Sequence, residues 1–486
     1  MDNHLTYHDF GHWIALGGAE MATLMQDSLH NLWFLAQTQG KPTISASSVL
    51  APYMAVFFVA FFVSFVATPV MRWLAIRNGV VDWPDFKRKV HLQPVAYLGG
   101  IAIFLGWLAG ILMCFVLEPH DARVIELGME HVKFPFAIVI GGAVIALTGV
   151  IDDVYGVSPR VKIGGQLFAA AALATQDVGT ELVADTFSSL GVAFPHSDIV
   201  AYVLGAIFIA VLVVGGCNSV NLLDGMDGLA SGVTAIAVCG FLVISLVVAI
   251  GMSNPMQEAP GIDLITSPIR IVMCLAILGT LMGFLPYNFN PANIFMGDAG
   301  SLLLGYLSVS TILLLAHAPG PGPALVMAAL VVFAMPFTDT VLAITRRKMS
   351  GKPIFSPDKA HLHHQLRKSG LSVKQTVLAM YGLCLGFATI GCMMVFLRWR
   401  YVLAIFFVLF AFIAVTAIKS AQNKVIQATI DPGSRKDDEV TIDVAIDETG
   451  QIPRRGAKTH SPTVQHAAND QVTTDMPNTS ATDAIS

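Results

Sequence analysis

The chain has 486 residues, 55% of them apolar and only 13% charged, with a net charge of −5. Soluble domains carry about 25% charged residues, so lipid is the solvent for most of this chain. That composition excludes a soluble enzyme, and no basic excess points to nucleic acid. The six cysteines form no C-x-x-C pair, and Cys114, Cys239, Cys274, Cys384 and Cys392 lie within apolar runs. They read as small packing residues rather than disulfides or zinc ligands.

Residues 1–48 lack the basic start of a cleavable signal, and Asp27 and His30 interrupt their apolar residues. They are expected to form an extracytoplasmic extension, with an interfacial helix as one form. Apolar runs then follow at 49–71, 97–117, 134–151, 163–176, 199–216, 228–251, 270–286, 300–316, 323–345, 378–397 and 401–418. Most are near the roughly 20 residues that a helix needs to cross the bilayer. The expectation is an all-α polytopic membrane protein of about eleven transmembrane helices, with its membrane domain at 49–418. From Lys419 to Ser486 the chain turns polar and predicts a disordered tail.

Basic residues orient the spans. Arg72, Arg77, Lys87, Arg88 and Lys89 follow the first span, and Arg160 and Lys162 follow the third. Eight more lie between Arg346 and Lys374 after the ninth, fifteen in all. The opposite loops carry Arg123, Lys133, Arg398 and Arg400, with Arg270 at a span edge. The positive-inside rule therefore puts the N-terminus outside and the C-terminus in the cytoplasm.

That orientation brings the motif-bearing acids to the cytoplasmic side. Asp152 and Asp153 end the third span, where a carboxylate opposes the macrodipole of its own helix and makes a poor cap. Adjacent acids beside a membrane call for a cation or a chemical task. N-S-V-N-L-L-D-G-M-D-G places Asn218, Asn221, Asp224 and Asp227 three residues apart. This is either one face of a helix or a turn converging on a ligand. Asp298, in a Gly-flanked turn before the eighth span, is either that span's N-cap or an oxygen ligand for Mg²⁺. In the ninth loop His361, His363 and His364 could form a zinc site, but adjacent histidines cannot easily face one metal. With the arginines nearby they suit hydrogen bonds to a sugar and its phosphates better.

The order of these motifs resembles the polyprenyl-phosphate N-acetylhexosamine-1-phosphate transferases, the MraY/WecA superfamily. The resemblance runs from about residue 50 to 415. It rests on D-W-P with R-K-V-H-L-Q-P and Gly99-Gly100, and on Asp152-Asp153 with Lys162 and Gln166. It continues through N-S-V-N-L-L-D-G-M-D-G-L, N-P-A-N-I-F-M-G-D-A-G-S and H-L-H-H. The H-x-H-H form is similar to the WecA/TagO branch, although Asp358-Lys359 stands where Asp-Arg is the pattern.

The resemblance implies transfer of GlcNAc-1-phosphate from UDP-GlcNAc to undecaprenyl phosphate. The products would be GlcNAc-pyrophosphoryl-undecaprenol and UMP. Such a reaction opens synthesis of a cell-surface polysaccharide of O-antigen, enterobacterial common antigen or teichoic-acid type. UDP-MurNAc-pentapeptide or another UDP-N-acetylhexosamine is the alternative donor. The resemblance also implies Mg²⁺, replaceable by Mn²⁺, on Asp298 and Asn221, and a catalytic pair in Asp152 and Asp153. Lys89, Asp224, Asp227, Arg347, His361, His363 and His364 would bind substrate. The setting implied is the inner membrane, with the active site cytoplasmic and a homodimer as a candidate assembly. A transporter, the reading from another class, would carry mid-span ionisable groups and internal repeats. Here Asp339 is the one acid of that kind, and no repeat is visible.

Overall fold

The computed structural model describes residues 46–82, 94–114, 116, 136–189, 198–252, 266–318, 322–349, 351 and 361–430. The expectations for 1–45 and 431–486, and for Lys89, lie outside them. The chain divides into two units at Ile426/Gln427, and nearly all described residues belong to the first.

The elements in order are α1 (Ala46–Leu50), α2 (Met54–Arg77), β1 (Val81–Asp82), β2 (Val95–Ala96), α3 (Gly99–Met113), α4 (Phe136–Tyr155) and α5 (Pro159–Thr175). They continue with α6 (Leu182–Ser189), α7 (Asp198–Leu223), α8 (Leu229–Met252), α9 (Thr266–Asn288) and α10 (Gly297–Leu314). Last come α11 (Gly322–Val332), α12 (Ala334–Met349), α13 (Leu362–Lys368), α14 (Val373–Met394) and α15 (Trp399–Ile430). The protein is an all-α polytopic membrane protein.

Each of the eleven expected spans falls on a helix, but not all have the length and apolarity of a full crossing. Among the described residues seven helices do, or eight if the bent pair α11–α12 is one span. Gly99–Cys114 and Arg400–Thr416 are shorter apolar helices. The expected fourth span, α5, is in neither group, because Arg160, Lys162 and Gln166 make its first turns polar. The expected ninth span is broken by a 71° bend between Val332 and Ala334. Pro336 explains the break, since it has no N–H to donate back towards Val332. At the C-terminal end α15 continues past the expected limit of 418 to Ile430.

The core is organised around α10. Of its 18 residues, 17 are buried, and Asp298 is the exception. It packs against α3, α4 and α7, and α2, α3 and α9 pack closely alongside. Glycine makes these approaches possible. A Cβ on Gly149 of α4 would stand 2.3 Å from the Ala299 Cα, and one on Gly100 of α3 would stand 2.2 Å from the Gly300 nitrogen. Between helices in lipid, close backbone packing of this kind replaces the hydrophobic drive available in water. It brings three helix ends to one point at the start of α10.

A small element not expected from the sequence ties the loops together. β1 and β2 pair antiparallel, Val81 with Ala96 and Asp82 with Val95. Ala96 bridges on to Ile294, and Arg72 Nε donates to the Asn293 carbonyl at 3.2 Å. The ends of the first loop are thereby joined to the loop before α10.

Candidate active site

The centre of the site is the N-terminus of α10, whose first amides have no partner within the helix. Asp153, from the last turn of α4, supplies one from a distant part of the chain. Its Oδ1 accepts from the Asp298 amide at 2.8 Å and its Oδ2 from the Ala299 amide at 3.1 Å. This resolves the unfavourable position noted from the sequence: the acid ends its own helix but caps another, where the macrodipole favours it. Gly297 is required there, because its φ is +67° and a Cβ would lie 2.4 Å from Asp153 Oδ2. Asp298 is therefore not the cap of its own span. It stands one position inside the helix and faces outward from the core.

Around Asp298 three other helices contribute. Lys162 Nζ contacts Asp298 Oδ2 and also lies 2.8 Å from Asp152 Oδ2. Asp152 Oδ1 accepts from the Val157 amide at 2.8 Å, which fixes the turn between α4 and α5. Asn221 Nδ2 donates to Asp298 Oδ1 and to Ser301 Oγ, each at 2.9 Å. One turn deeper, Asn218 donates to Gln166 at 2.8 Å, setting the register of α5 against α7. Asp152, Asp153 and Asp298 each offer an oxygen within 4.8 Å of the others. These hard oxygen donors suit Mg²⁺ or Mn²⁺, and Lys162 already places one positive charge between two of them.

The Asp224–Asp227 turn between α7 and α8 borders this cluster. Burial first, and then the negative charges of Asp298, Asp153 and Asp227, push the Asp224 carboxyl well above the ordinary range. Asp227 has a holding role: its Oδ2 accepts from Asn290 Nδ2 at 2.8 Å and from the Ala292 amide at 3.0 Å. It thus ties the D-G-M-D turn to the N-P-A-N loop. Tyr381 of α14 donates to the Gly228 carbonyl at 2.6 Å from the other side.

The histidines occupy α13 and its leading residue. His361 and His363 stack with ring centroids 5.7 Å apart, and His363 and His364 lie 4.3 Å apart. His363 packs against the D-G-M-D turn: a Cβ on Gly225 would come within 2.9 Å of its Nε2. Neither ring nitrogen of His363 has a hydrogen-bond partner among the described residues. Burial, and then neighbouring His364, lower its pKa to about 4, so the ring is neutral at pH 7. Among the described residues these histidines join no cluster arranged for a metal, and the one such cluster is the three carboxylates. Arg347 is buried near the end of α12.

The structure thus gathers Asp152, Asp153, Asp298 and Asn221 at one point, with Asp224 and Asp227 beside them and His363 against the same turn. Two residues outside the expected site have partners within it: Lys162 stands between Asp152 and Asp298, and Asp339 Oδ2 lies 3.0 Å from His361 Nδ1. Lys162 carried a signal, as a lysine entering an apolar helix ten positions after Asp152 in the chain. Asp339 carried one as well, since an acid within an apolar span needs a partner.

Known proteins align with this arrangement. Residues 135–316 match the glycosyl transferase family 4 model. A probable undecaprenyl-phosphate N-acetylglucosaminyl 1-phosphate transferase of Bacillus subtilis is 36% identical over 331 residues, 66% of this chain and 80% of the relative. A decaprenyl-phosphate N-acetylglucosaminephosphotransferase of Mycolicibacterium smegmatis is 35% identical over 341 residues, 66% of this chain and 76% of the relative. A phospho-N-acetylmuramoyl-pentapeptide-transferase of Bacillus thuringiensis is 28% identical over 323 residues, 63% of this chain and 87% of the relative. The aligned length takes in the aspartate cluster and the spans that build it, and the chain belongs to glycosyl transferase family 4, the polyprenyl-phosphate N-acetylhexosamine-1-phosphate transferases of the MraY/WecA superfamily.

Proposed function

We propose that the protein transfers GlcNAc-1-phosphate from UDP-GlcNAc to undecaprenyl phosphate at the cytoplasmic face of the inner membrane. An oxygen of the lipid phosphate forms a bond to the β-phosphorus of the donor. The bond from that phosphorus to the bridging oxygen breaks, and UMP leaves with the electron pair. The observation that carries this reading is the cluster of Asp152, Asp153 and Asp298, with Lys162, at the ends of apolar helices. A lipid-borne phosphate can meet a water-borne nucleotide there. GlcNAc is favoured over the muramyl-pentapeptide because the GlcNAc-type relatives are 36% and 35% identical and the pentapeptide-type relative 28%.

Each residue's part follows from its surroundings. Asp298, Asp152 and Asn221 are the groups that would hold Mg²⁺, Asn221 presenting its oxygen after its amide turns from the arrangement described. A divalent cation there offsets the repulsion between two approaching phosphates. Lys162 adds a positive charge at the same place and suits the oxygens of the donor pyrophosphate. Asp153 holds the start of α10, and so fixes where Asp298 stands. The acceptor phosphate has a second pKa of about 6 and is largely dianionic near pH 7. Asp152 therefore acts by ordering Lys162 and the cation more than by removing a proton. His361, His363, His364 and Arg347 serve the sugar and phosphates of the donor, and the family resemblance assigns Lys89, outside the described residues, to the nucleotide end.

The test is direct. Purified protein in detergent receives radiolabelled UDP-GlcNAc, UDP-GalNAc or UDP-MurNAc-pentapeptide with undecaprenyl phosphate, with Mg²⁺ or with EDTA. Labelled lipid and UMP should form from UDP-GlcNAc with Mg²⁺ and not with EDTA. Labelled lipid from the pentapeptide donor alone would reassign the sugar, and product in EDTA would remove the metal.

A further inference from the structure

We propose that Asp339 is the positioning residue of the histidine element, holding His361 and the start of α13 so that His363 closes on the Asp224–Asp227 turn. The inference rests on the reading that these histidines serve the donor. Asp339 lies on the bent span and is 2% exposed, well inside protein. Burying a carboxylate there is costly unless both oxygens find donors. They do. Oδ2 accepts from His361 Nδ1 at 3.0 Å, and Oδ1 accepts from the Leu362 amide at 2.9 Å.

Those two bonds do different things. The bond to Leu362 supplies a partner for a first-turn amide of α13, a short helix that His361 leads without a side-chain cap of its own. The bond to His361 fixes the ring, because an ionised carboxylate only accepts and the hydrogen must be on Nδ1. Nε2 is then the ring nitrogen available to a ligand. His361, 5% exposed, stacks on His363, 1% exposed, with ring planes 6° apart. His363 in turn sits at Gly225. A line of contacts therefore runs from the carboxylate in the membrane span, through two rings, to the turn beside Asp298.

The position of Asp339 in the bent span gives the contact its leverage. α12 packs on α7, which carries Asn218 and Asn221, and α13 packs on α14. Asp339 links the two groups, so the histidines keep a fixed relation to the helix that carries Asn221. Asp339 touches no reacting atom and acts through His361.

The experiment is a double-mutant cycle on the full chain in lipid nanodiscs, with Asp339→Asn, His361→Gln, both together, and Asp339→Glu. Asp339→Asn should lower kcat/KM for UDP-GlcNAc by about ten- to a hundredfold, as for a lost bond to a charged group. The KM for undecaprenyl phosphate should stay within about twofold, since the latch does not touch that end. Asp339→Glu should recover part of the loss, and the double variant should be no worse than His361→Gln alone. Additive losses, or equal losses towards both substrates, would overturn the proposal. Trypsin provides a readout independent of the donor. Cleavage at Arg367 and Lys368 should be faster in Asp339→Asn and in His361→Gln, and no faster in the double variant. Unchanged cleavage in Asp339→Asn, with His361→Gln defective in transfer, overturns the latch alone. Faster cleavage with unchanged kinetics overturns the donor reading of the histidines, and the positioning role with it.

Discussion

The aspartate cluster and the histidine element are held in different ways. Asp153 and Asp298 stand on helices packed together through glycine, with Asp153 bonded to two backbone amides of a helix that is otherwise wholly buried. The histidines stand on a seven-residue helix joined to the bent span by the two oxygens of Asp339. The first arrangement fixes charge to within a hydrogen bond, as a metal and a transferring phosphate require. The second joins the histidine element to the bent span through one carboxylate, beside the packing of α13 on α14. On the proposed roles, mutation should therefore separate chemistry from recognition.

The largest effect should come from the rigid side. Asp298→Ala should lower turnover by about a hundred- to a thousandfold, and Asp298→Glu should retain a trace with a shifted Mg²⁺ optimum. Near wild-type turnover of Asp298→Ala in detergent would break the metal assignment.

The adjacent acids should then separate. Asp152→Asn should cut turnover with little change in melting temperature, because it loses charge beside Lys162 but can still accept from Val157. Asp153→Asn should lower both, because one of the two oxygens that accept from the Asp298 and Ala299 amides becomes an NH2 group that can only donate. The stability loss expected is about 1–3 kcal/mol. Equal melting temperatures for the two variants, read by thermal shift in detergent, would contradict the capping role.

On the histidine side the effects are smaller. Gly225→Ala should push His363 from the turn and lower donor kcat/KM by about tenfold. The lowered pKa of His363 also has a sign. In the unfolded chain the ring titrates near 6.5, and in the folded protein near 4. Between those values the unfolded state binds more protons, so stability is lost as pH falls from 6.5 towards 4. His363→Gln should flatten that part of the melting curve against pH, and an unchanged curve would show that the ring is not buried neutral. The smallest effect is at the end of the chain. Removing the residues after Ile430 should leave specific activity within about twofold, and a loss in well-expressed protein would reveal a functional element there.

Much of this was legible in the sequence, because membrane spans declare themselves by length and apolarity. All eleven runs fall on helices, and the motif order led to the family. What was not legible depended on contacts distant in sequence. The Asp152-Asp153 pair looked misplaced at a helix C-terminus, and the cap that explains Asp153 lies 145 residues away. The β1–β2 pair is two residues per strand, too short for any alternation to show. The bend at Phe333 sits inside a continuous apolar run, where only Pro336 marks it. Asp339 was visible as an odd acid in a span, but its partner is a loop histidine 22 residues on.

In the proposed reaction a sugar phosphate moves, not a sugar alone. UDP-GlcNAc labelled with ³²P at the β-phosphorus, mixed with purified protein, Mg²⁺ and undecaprenyl phosphate, tests it most directly. The label should pass to the lipid, unlabelled UMP should form in equal amount, and Asp298→Ala should stop both. Label remaining in the nucleotide as UDP, with GlcNAc but no label on the lipid, would contradict it.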